Sequence, residues 1–155
     1  MLHFRFADIN DANLYYEWAN DPLVRAFSYK QDEIAYEDHI KWFRSRLEKG
    51  NTFFYLFMNE DDEKVGQVRI EKGADENVAG ISIAKEFRGR SLGTPMLQMA
   101  CNDFLERFPD EEITAYIKKD NIASYRIFQK AGFKGNEEVM IYDSPSYQLK
   151  YTSEQ

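Results

Sequence analysis

The stretch Ile81-Ser82-Ile83-Ala84-Lys85-Glu86-Phe87-Arg88-Gly89-Arg90-Ser91-Leu92-Gly93-Thr94 constrains this chain more than any other. Its apolar start reads as the end of a strand, its middle as a turn rich in Gly and Arg, and its close as the opening of a helix. The first amides of a helix have no intrahelical partner, and the peptide dipoles add partial positive charge there. A helix start that follows a glycine turn is therefore an anion site, best suited to phosphate. Gly89 and Gly93 permit a close approach that a side chain would block. Arg88 and Arg90 add permanent charge and forked donors. Two common phosphate motifs fail: there is no Gly-Lys-Ser/Thr, and the glycine spacing does not make a dinucleotide fingerprint.

Around this segment, elements alternate with turn signals between them. Residues 2–6 read as a strand. Asp8 is placed to cap a helix carrying Leu14, Tyr15 and Trp18 at helical spacing. Asn20-Asp21-Pro22 ends it, and 21–34 reads as a loop or short turn. A second helix spans about 36–48, where Tyr36, Ile40, Phe43 and Leu47 share one face, with Gly50 closing it. Residues 52–58 and 64–71 pair as a hairpin, and 78–83 forms a further strand. A helix spans about 94–107, with Pro95 in its first turn. The strand 113–117 precedes a helix over 122–131 that ends on Gly132. Two last strands, 138–142 and 147–151, flank a turn at Asp143-Ser144-Pro145. The expected class is α+β, a mixed, mostly antiparallel twisted sheet of about seven strands with four main helices on its two faces. Residues 1–155 fit one domain with a complete core.

Composition narrows the function classes. The net charge is −7, so the general surface collects little phosphate counterion energy and nucleic acid is not an expected partner. No segment approaches the roughly 18 apolar residues of a membrane span. The first residues lack the basic start and long apolar stretch of a signal peptide, which makes the cytoplasm the expected location. One cysteine, Cys101, permits neither an internal disulfide nor a multi-cysteine metal site, and no metal is expected. It falls on the apolar face of the 94–107 helix, where a free cysteine reads as packing.

A second constellation, Asp120-Asn121-Ile122-Ala123-Ser124-Tyr125-Arg126-Ile127-Phe128-Gln129-Lys130-Ala131-Gly132-Phe133, follows the next strand. The two stretches together resemble the GCN5-related N-acetyltransferase (GNAT) family. The family's pyrophosphate motif, Arg/Gln-x-x-Gly-x-Gly/Ala, is matched by Arg88 to Gly93 with Ser91 in place of the first glycine. Its later pattern is matched by Asn121, Ser124, Lys130, Gly132 and Phe133. The resemblance covers about 1–151 and implies acetyl-CoA as co-substrate. Amides of Arg88, Gly89, Arg90, Ser91, Leu92, Gly93 and Thr94 would hold its pyrophosphate. The strand at Ile81 and Ile83 would pair with the pantetheine arm, with the amide near Ile83 polarising the acetyl carbonyl. That strand and the next would splay to admit the arm. Asn121, Ser124, Phe128 and Lys130 would approach the cofactor from the last helix. By its residue type alone, Asn121 reads equally as the cap of that helix.

The acid and base stay open. Where many family members place a tyrosine as general acid, this chain has Phe128, leaving Tyr125, one turn earlier, or Ser124. Gly80 stands where several members carry a glutamate. His39, whose ordinary pKa suits base work, is the alternative. The front of the chain resembles members that acetylate nucleotide-linked amino sugars. The lining that this implies is Arg25, Phe27, Tyr29 and Arg69: aromatic faces suit sugars and bases, and arginines suit a diphosphate. Trp18 and Trp42 read singly as core. The same blocks also resemble acetyltransferases acting on ribosomal-protein N-termini, and a non-catalytic acetyl-CoA sensor is the third reading. A monomer or homodimer fits each.

Overall fold

The computed structural model describes residues 1–152. Its seven strands form one sheet: β1 (His3–Phe6), β2 (Thr52–Met58), β3 (Lys64–Lys72), β4 (Asn77–Ile83), β5 (Glu112–Lys118), β6 (Lys134–Ile141) and β7 (Ser144–Thr152), in the order β1-β2-β3-β4-β5-β7-β6. Every pairing is antiparallel except β4 with β5, which is parallel. The helices are α1 (Ala12–Ala19), α2 (Pro22–Phe27), α3 (Tyr36–Lys49), α4 (Gly93–Arg107) and α5 (Ile122–Ala131), with two short 3-10 turns. The expected α+β architecture is the one observed.

β2 shows why the sheet is covered on both sides. Its run Thr-Phe-Phe-Tyr-Leu-Phe-Met is apolar at nearly every position, the pattern of a strand buried on both faces. Tyr55 and Phe57 join the core under α4 and α5, while Phe54 and Leu56 join a second core under α1 and α3. Phe54 meets Tyr15, Phe43 and Trp42 at ring distances of 5.6, 5.0 and 5.9 Å. Cys101 is fully buried in the first core, and burial pushes its thiol pKa up, so it is packing as expected.

Three boundaries differ from the sequence reading. Residues 22–27 are helical: Asp21 accepts hydrogen bonds from the amides of Leu23 and Val24, and Pro22 occupies the first turn, where its missing N–H does no harm. The last hairpin turns at Tyr142-Asp143, with φ of +45° and +65°, and Ser144 and Pro145 already belong to β7. A two-residue turn with both φ positive matches the strand twist, which outweighs the usual reluctance of tyrosine to adopt it. β6 also begins earlier than its polar sequence suggests, because it is an edge strand facing water.

Ser146 and the other residues of β7 hold β5 along its whole length, but β4 meets β5 at one register position, Val78↔Thr114. Asn77 Nδ2 adds a tie to the carbonyl of Glu112 at 2.8 Å. Both ties lie at the N-terminal ends of the two strands, so the sheet is left open towards their C-terminal ends.

Candidate functional site

Two cavities meet at this opening. The first, about 540 Å³, lies between the end of β4, the turn after it and the start of α5. The second, about 480 Å³, is walled by α1, α2 and α3 above β3 and β4. Ile81 and Ser82 line both, as do Val24 and Ser28. A molecule in one can therefore reach a molecule in the other across the middle of β4.

Of the residues expected to hold the cofactor, Ile81, Ile83, Arg88, Gly89, Asn121 and Ser124 line the first cavity, and Arg90 to Thr94, Phe128 and Lys130 do not. Backbone groups alternate sides along a strand. Ala84 donates to Val65 on β3, so the backbone groups of Ile83 and Ile81 face away from β3, into the gap. Arg88 turns two of its guanidinium donors to the protein itself. Its Nε donates to the Ile83 carbonyl at 3.1 Å and its Nη2 pairs with Asp21 at 3.0 Å, locking the turn against α2. That pairing, together with the amides at the helix start, holds the Asp21 carboxyl below its ordinary pKa against the opposing effect of burial. Arg90 is exposed, with its guanidinium 5.1 Å from the Phe87 ring, and is the turn's accessible charge.

The turn has the backbone its motif requires. Gly89 has φ of +77°, and a Cβ there would meet nothing within 4 Å. Ser91 takes the left-handed conformation at φ +58°, at the position of the motif's first glycine. Such a conformation costs a residue with a side chain about 1 kcal/mol. Ser91→Gly is accordingly expected to raise thermal stability by about 2 °C, corresponding to about 0.5–1 kcal/mol, measured by calorimetry. α4 opens without a side-chain cap on its first amides. Gly93 is required for packing as well: a Cβ there would stand 2.9 Å from Ile127 Cγ2 on α5.

On α5 the expected residues divide. Asn121 and Ser124 line the cofactor cavity, and Asn121 also caps the helix, its Oδ1 accepting from the Ser124 amide at 3.2 Å. Phe128 does not face the cavity. It is buried against Phe133, with ring centroids 5.0 Å apart, because it lies on the helix face turned to the sheet. Tyr125 is turned to the opposite side, its ring 5.0 Å from Tyr147 and its hydroxyl towards the Gly135 carbonyl, so it is not placed to donate a proton in the gap. Lys130 is exposed. Thr94, in the first turn of α4, directs its hydroxyl to the Ile127 carbonyl.

The second cavity brings together residues the sequence left scattered. His39 on α3 is buried, stacked on Phe43 and flanked by Tyr16 and Trp42. Burial, then the charges of Arg69 and Arg25, holds its imidazole below the ordinary histidine range, so it is neutral near pH 7. Arg69 on β3 lies 5.1 Å from the Trp42 ring and forms no ion pair or hydrogen bond among the described residues. Burial and the neighbouring Arg46 lower its pKa. Arg25 lines the cavity but spends its donors on the carbonyls of Ala19, Lys30 and Asp32, clamping the 28–34 loop. Asp38 is the single carboxylate in the described lining.

Three of the four buried side-chain polar atoms without a hydrogen-bond partner among the described residues, Tyr15 Oη, His39 Nδ1 and Gln67 Oε1, belong to residues that line this one cavity. Buried polar groups are normally paired, so this concentration makes the cavity the candidate acceptor site. Trp18 and Trp42, read singly as core, line it too. Gly80, opposite Arg69 in the β3–β4 register, leaves open space where a side chain would stand. Phe27 lines the cofactor cavity instead. Tyr29 reaches across to β7, its hydroxyl 2.6 Å from Ser146 Oγ and its ring under the Lys118 ammonium. Phe27 ends α2 and Tyr29 lies just after it, and neither lines the second cavity. Gln67 and Tyr15 escaped the sequence reading, since a glutamine on a strand and a tyrosine on a helix carry no motif.

A family model described as an acetyltransferase (GNAT) domain matches residues 2–134. An uncharacterised protein of Methanocaldococcus jannaschii is 30% identical over 141 residues, which are 86% of this chain and 29% of that protein. A mycothiol acetyltransferase of Corynebacterium efficiens is 26% identical over 66% of this chain and 37% of its own length. The chain thus spans little more than a third, or less, of the curated relatives it matches. Among solved structures, spermidine N-acetyltransferase from Vibrio cholerae in complex with CoA and spermine superposes with a TM-score of 0.86 at 10% identity, over 97% of this chain and 94% of that one. The half-open parallel pair of strands, the glycine turn and helix at its mouth, and the match over most of the length agree, and the chain belongs to the GNAT acetyltransferase domain family.

Proposed function

We propose that this domain transfers the acetyl group of acetyl-CoA to a primary amine, and that the acceptor is the amino group of a nucleotide-linked amino sugar. The observation that carries the reading is the meeting of two cavities at Ile81 and Ser82, one fitted to a phosphate-bearing arm and the other lined with unpaired polar groups. Acetyl-CoA supplies the activated acyl group. The protein's part is to bind, orient and move protons. Amides from Gly89 to Thr94 and the Arg90 guanidinium hold the pyrophosphate, and the edge of β4 holds the arm. The Ile83 N–H, turned into the gap, stabilises negative charge developing on the carbonyl oxygen. An ammonium has no lone pair, so a proton must leave the acceptor nitrogen, and neutral His39 is the group in the cavity able to take it. The new N–C bond forms as the C–S bond breaks, and Ser124, one of three serines lining the cofactor side, is the hydroxyl assigned to the departing thiolate.

Charge supports the finer reading. A polycation such as spermine, which the Vibrio cholerae enzyme holds in its complex, would meet Arg25 and Arg69 here with Asp38 alone in compensation. An acceptor with one amine and an anionic group suits the same wall, where Arg69 over Trp42 offers a free fork of donors. The clamps from Arg25 to the 28–34 loop, and from Asn20 to Ile34, fix one wall of the cavity, which favours a small molecule over a peptide terminus. The test is release of CoA thiol from acetyl-CoA with UDP- and dTDP-linked amino sugars, spermidine and N-terminal peptides. Amino-sugar turnover is expected to exceed that of spermidine by about 100-fold. Equal or faster spermidine turnover would sink the acceptor assignment, and absence of thiol release with every amine would favour a sensor.

A further inference from the structure

Gln67 stands directly across from Ser82 in the β3–β4 ladder. Its Nε2 donates to Ser82 Oγ at 3.0 Å, which fixes the amide plane and leaves Oε1 on the other side. That oxygen is buried and finds no donor among the described residues. A buried amide oxygen without a donor is unfavourable unless a ligand supplies one. Gln67 lines the acceptor cavity, and Ser82 lines both cavities, so the pair stands where acceptor and thioester meet.

We propose that Gln67 is the residue that holds and aims the acceptor amine. This inference rests on the acetyl-transfer reading. Oε1 accepts one N–H of the neutral primary amine, which turns the nitrogen lone pair towards the carbonyl at the edge of β4. With the ammonium's first proton already on His39, the nitrogen then forms its bond to the acyl carbon, the carbon–sulfur bond breaks with its electron pair on sulfur, and the surplus proton passes from nitrogen to the departing thiolate. The hydrogen bond to Ser82 prevents the amide from turning away as the amine arrives. A neutral amide suits this place better than a carboxylate would. A carboxylate would bind the ammonium tightly and hold its proton, whereas an amide oxygen takes an N–H from either form and adds no charge that favours the protonated one.

The test uses the full chain with acetyl-CoA and methylamine at high concentration as the probe, so that handling of the amino group is read apart from the rest of the acceptor. Gln67→Leu is expected to lower kcat/KM for methylamine by about tenfold or more, with acetyl-CoA affinity by calorimetric titration within about twofold of the wild type. Gln67→Glu keeps the shape and an acceptor oxygen. It is expected to lose kcat at neutral pH and recover it at higher pH, where the bound ammonium finally gives up its proton; a residue that only braced β4 would not move the pH profile. Unchanged kcat/KM in Gln67→Leu, or a parallel loss of acetyl-CoA affinity, overturns the assignment and leaves Gln67 a strand brace. A wild-type protein inert towards methylamine but active on a screened acceptor overturns it as well, with the acetyl-transfer reading intact. No thiol release with any amine removes both.

Discussion

Gly66→Val is expected to destabilise the protein by about 3 kcal/mol and lower its melting temperature by about 10 °C. Gly66 lies on β3 opposite Ile83, the last residue of β4. A Cβ built there would stand 2.5 Å from the Ser82 carbonyl oxygen, 2.9 Å from Met96 Cε and 3.1 Å from Ile83 Cα. The methionine can swing aside, but the two backbone atoms can retreat only if β4 moves away from β3. That motion would enter the gap between β4 and β5 at the point where the arm of acetyl-CoA is proposed to lie. Acetyl-CoA affinity is therefore expected to fall with stability. Chemical unfolding and calorimetric titration of the same variant measure the two effects. A variant of native stability would show that β4 is not held as tightly as its ladder and Met96 imply.

His39→Phe is expected to lower kcat for amine acetylation by about 100-fold while stabilising the fold by about 1 kcal/mol. The phenyl ring can keep the stack on Phe43 and the edge contacts with Tyr16 and Trp42. It removes a buried nitrogen that has no partner among the described residues. A residue that serves only packing would not give this combination of lost rate and gained stability. The pH dependence follows from the direction of the imidazole shift. Burial first, then Arg69 and Arg25, holds the folded-state pKa below the ordinary 6.5. The unfolded chain therefore takes up the proton first as pH falls. The contribution of neutral His39 to stability is intact above about 6.5 and is lost as pH falls from there through the folded-state value. Acid unfolding of the wild type is expected to be steeper in that window than that of His39→Phe. Identical acid profiles, or undiminished kcat, would remove His39 from the proton path.

The motif-bearing half of the site was legible because its chemistry is local. A strand end, a glycine turn and a helix start are adjacent in sequence, and the free amides at α4 follow from backbone geometry whatever the side chains do. The acceptor half was legible only in part: Arg25, His39 and Arg69 were expected there and line the second cavity, whereas Phe27 and Tyr29 do not, and Tyr15 and Gln67 were not singled out. Tyr15, His39, Gln67 and Arg69 come from α1, α3 and β3, and none makes a pattern with its own neighbours. Local reading also misassigned side chains whose direction is set by packing. Arg88 matches the motif's arginine, yet its Nε and Nη2 are engaged by Ile83 and Asp21. Tyr125 and Phe128 sit on the expected helix, and the way α5 lies on the sheet turns one to Tyr147 and the other into the core.

By itself the sequence determined the α+β class, nearly every element, and the strand, glycine turn and helix start from Ile81 to Thr94, since hydrophobic period, caps and glycine positions act over a few residues. The tertiary structure alone decided where β4 and β5 part, which cavities meet at Ile81 and Ser82, and which polar atoms are left without partners there. Those depend on strand order and helix rotation, the summed outcome of contacts between residues far apart in the chain, and no short window of sequence contains them.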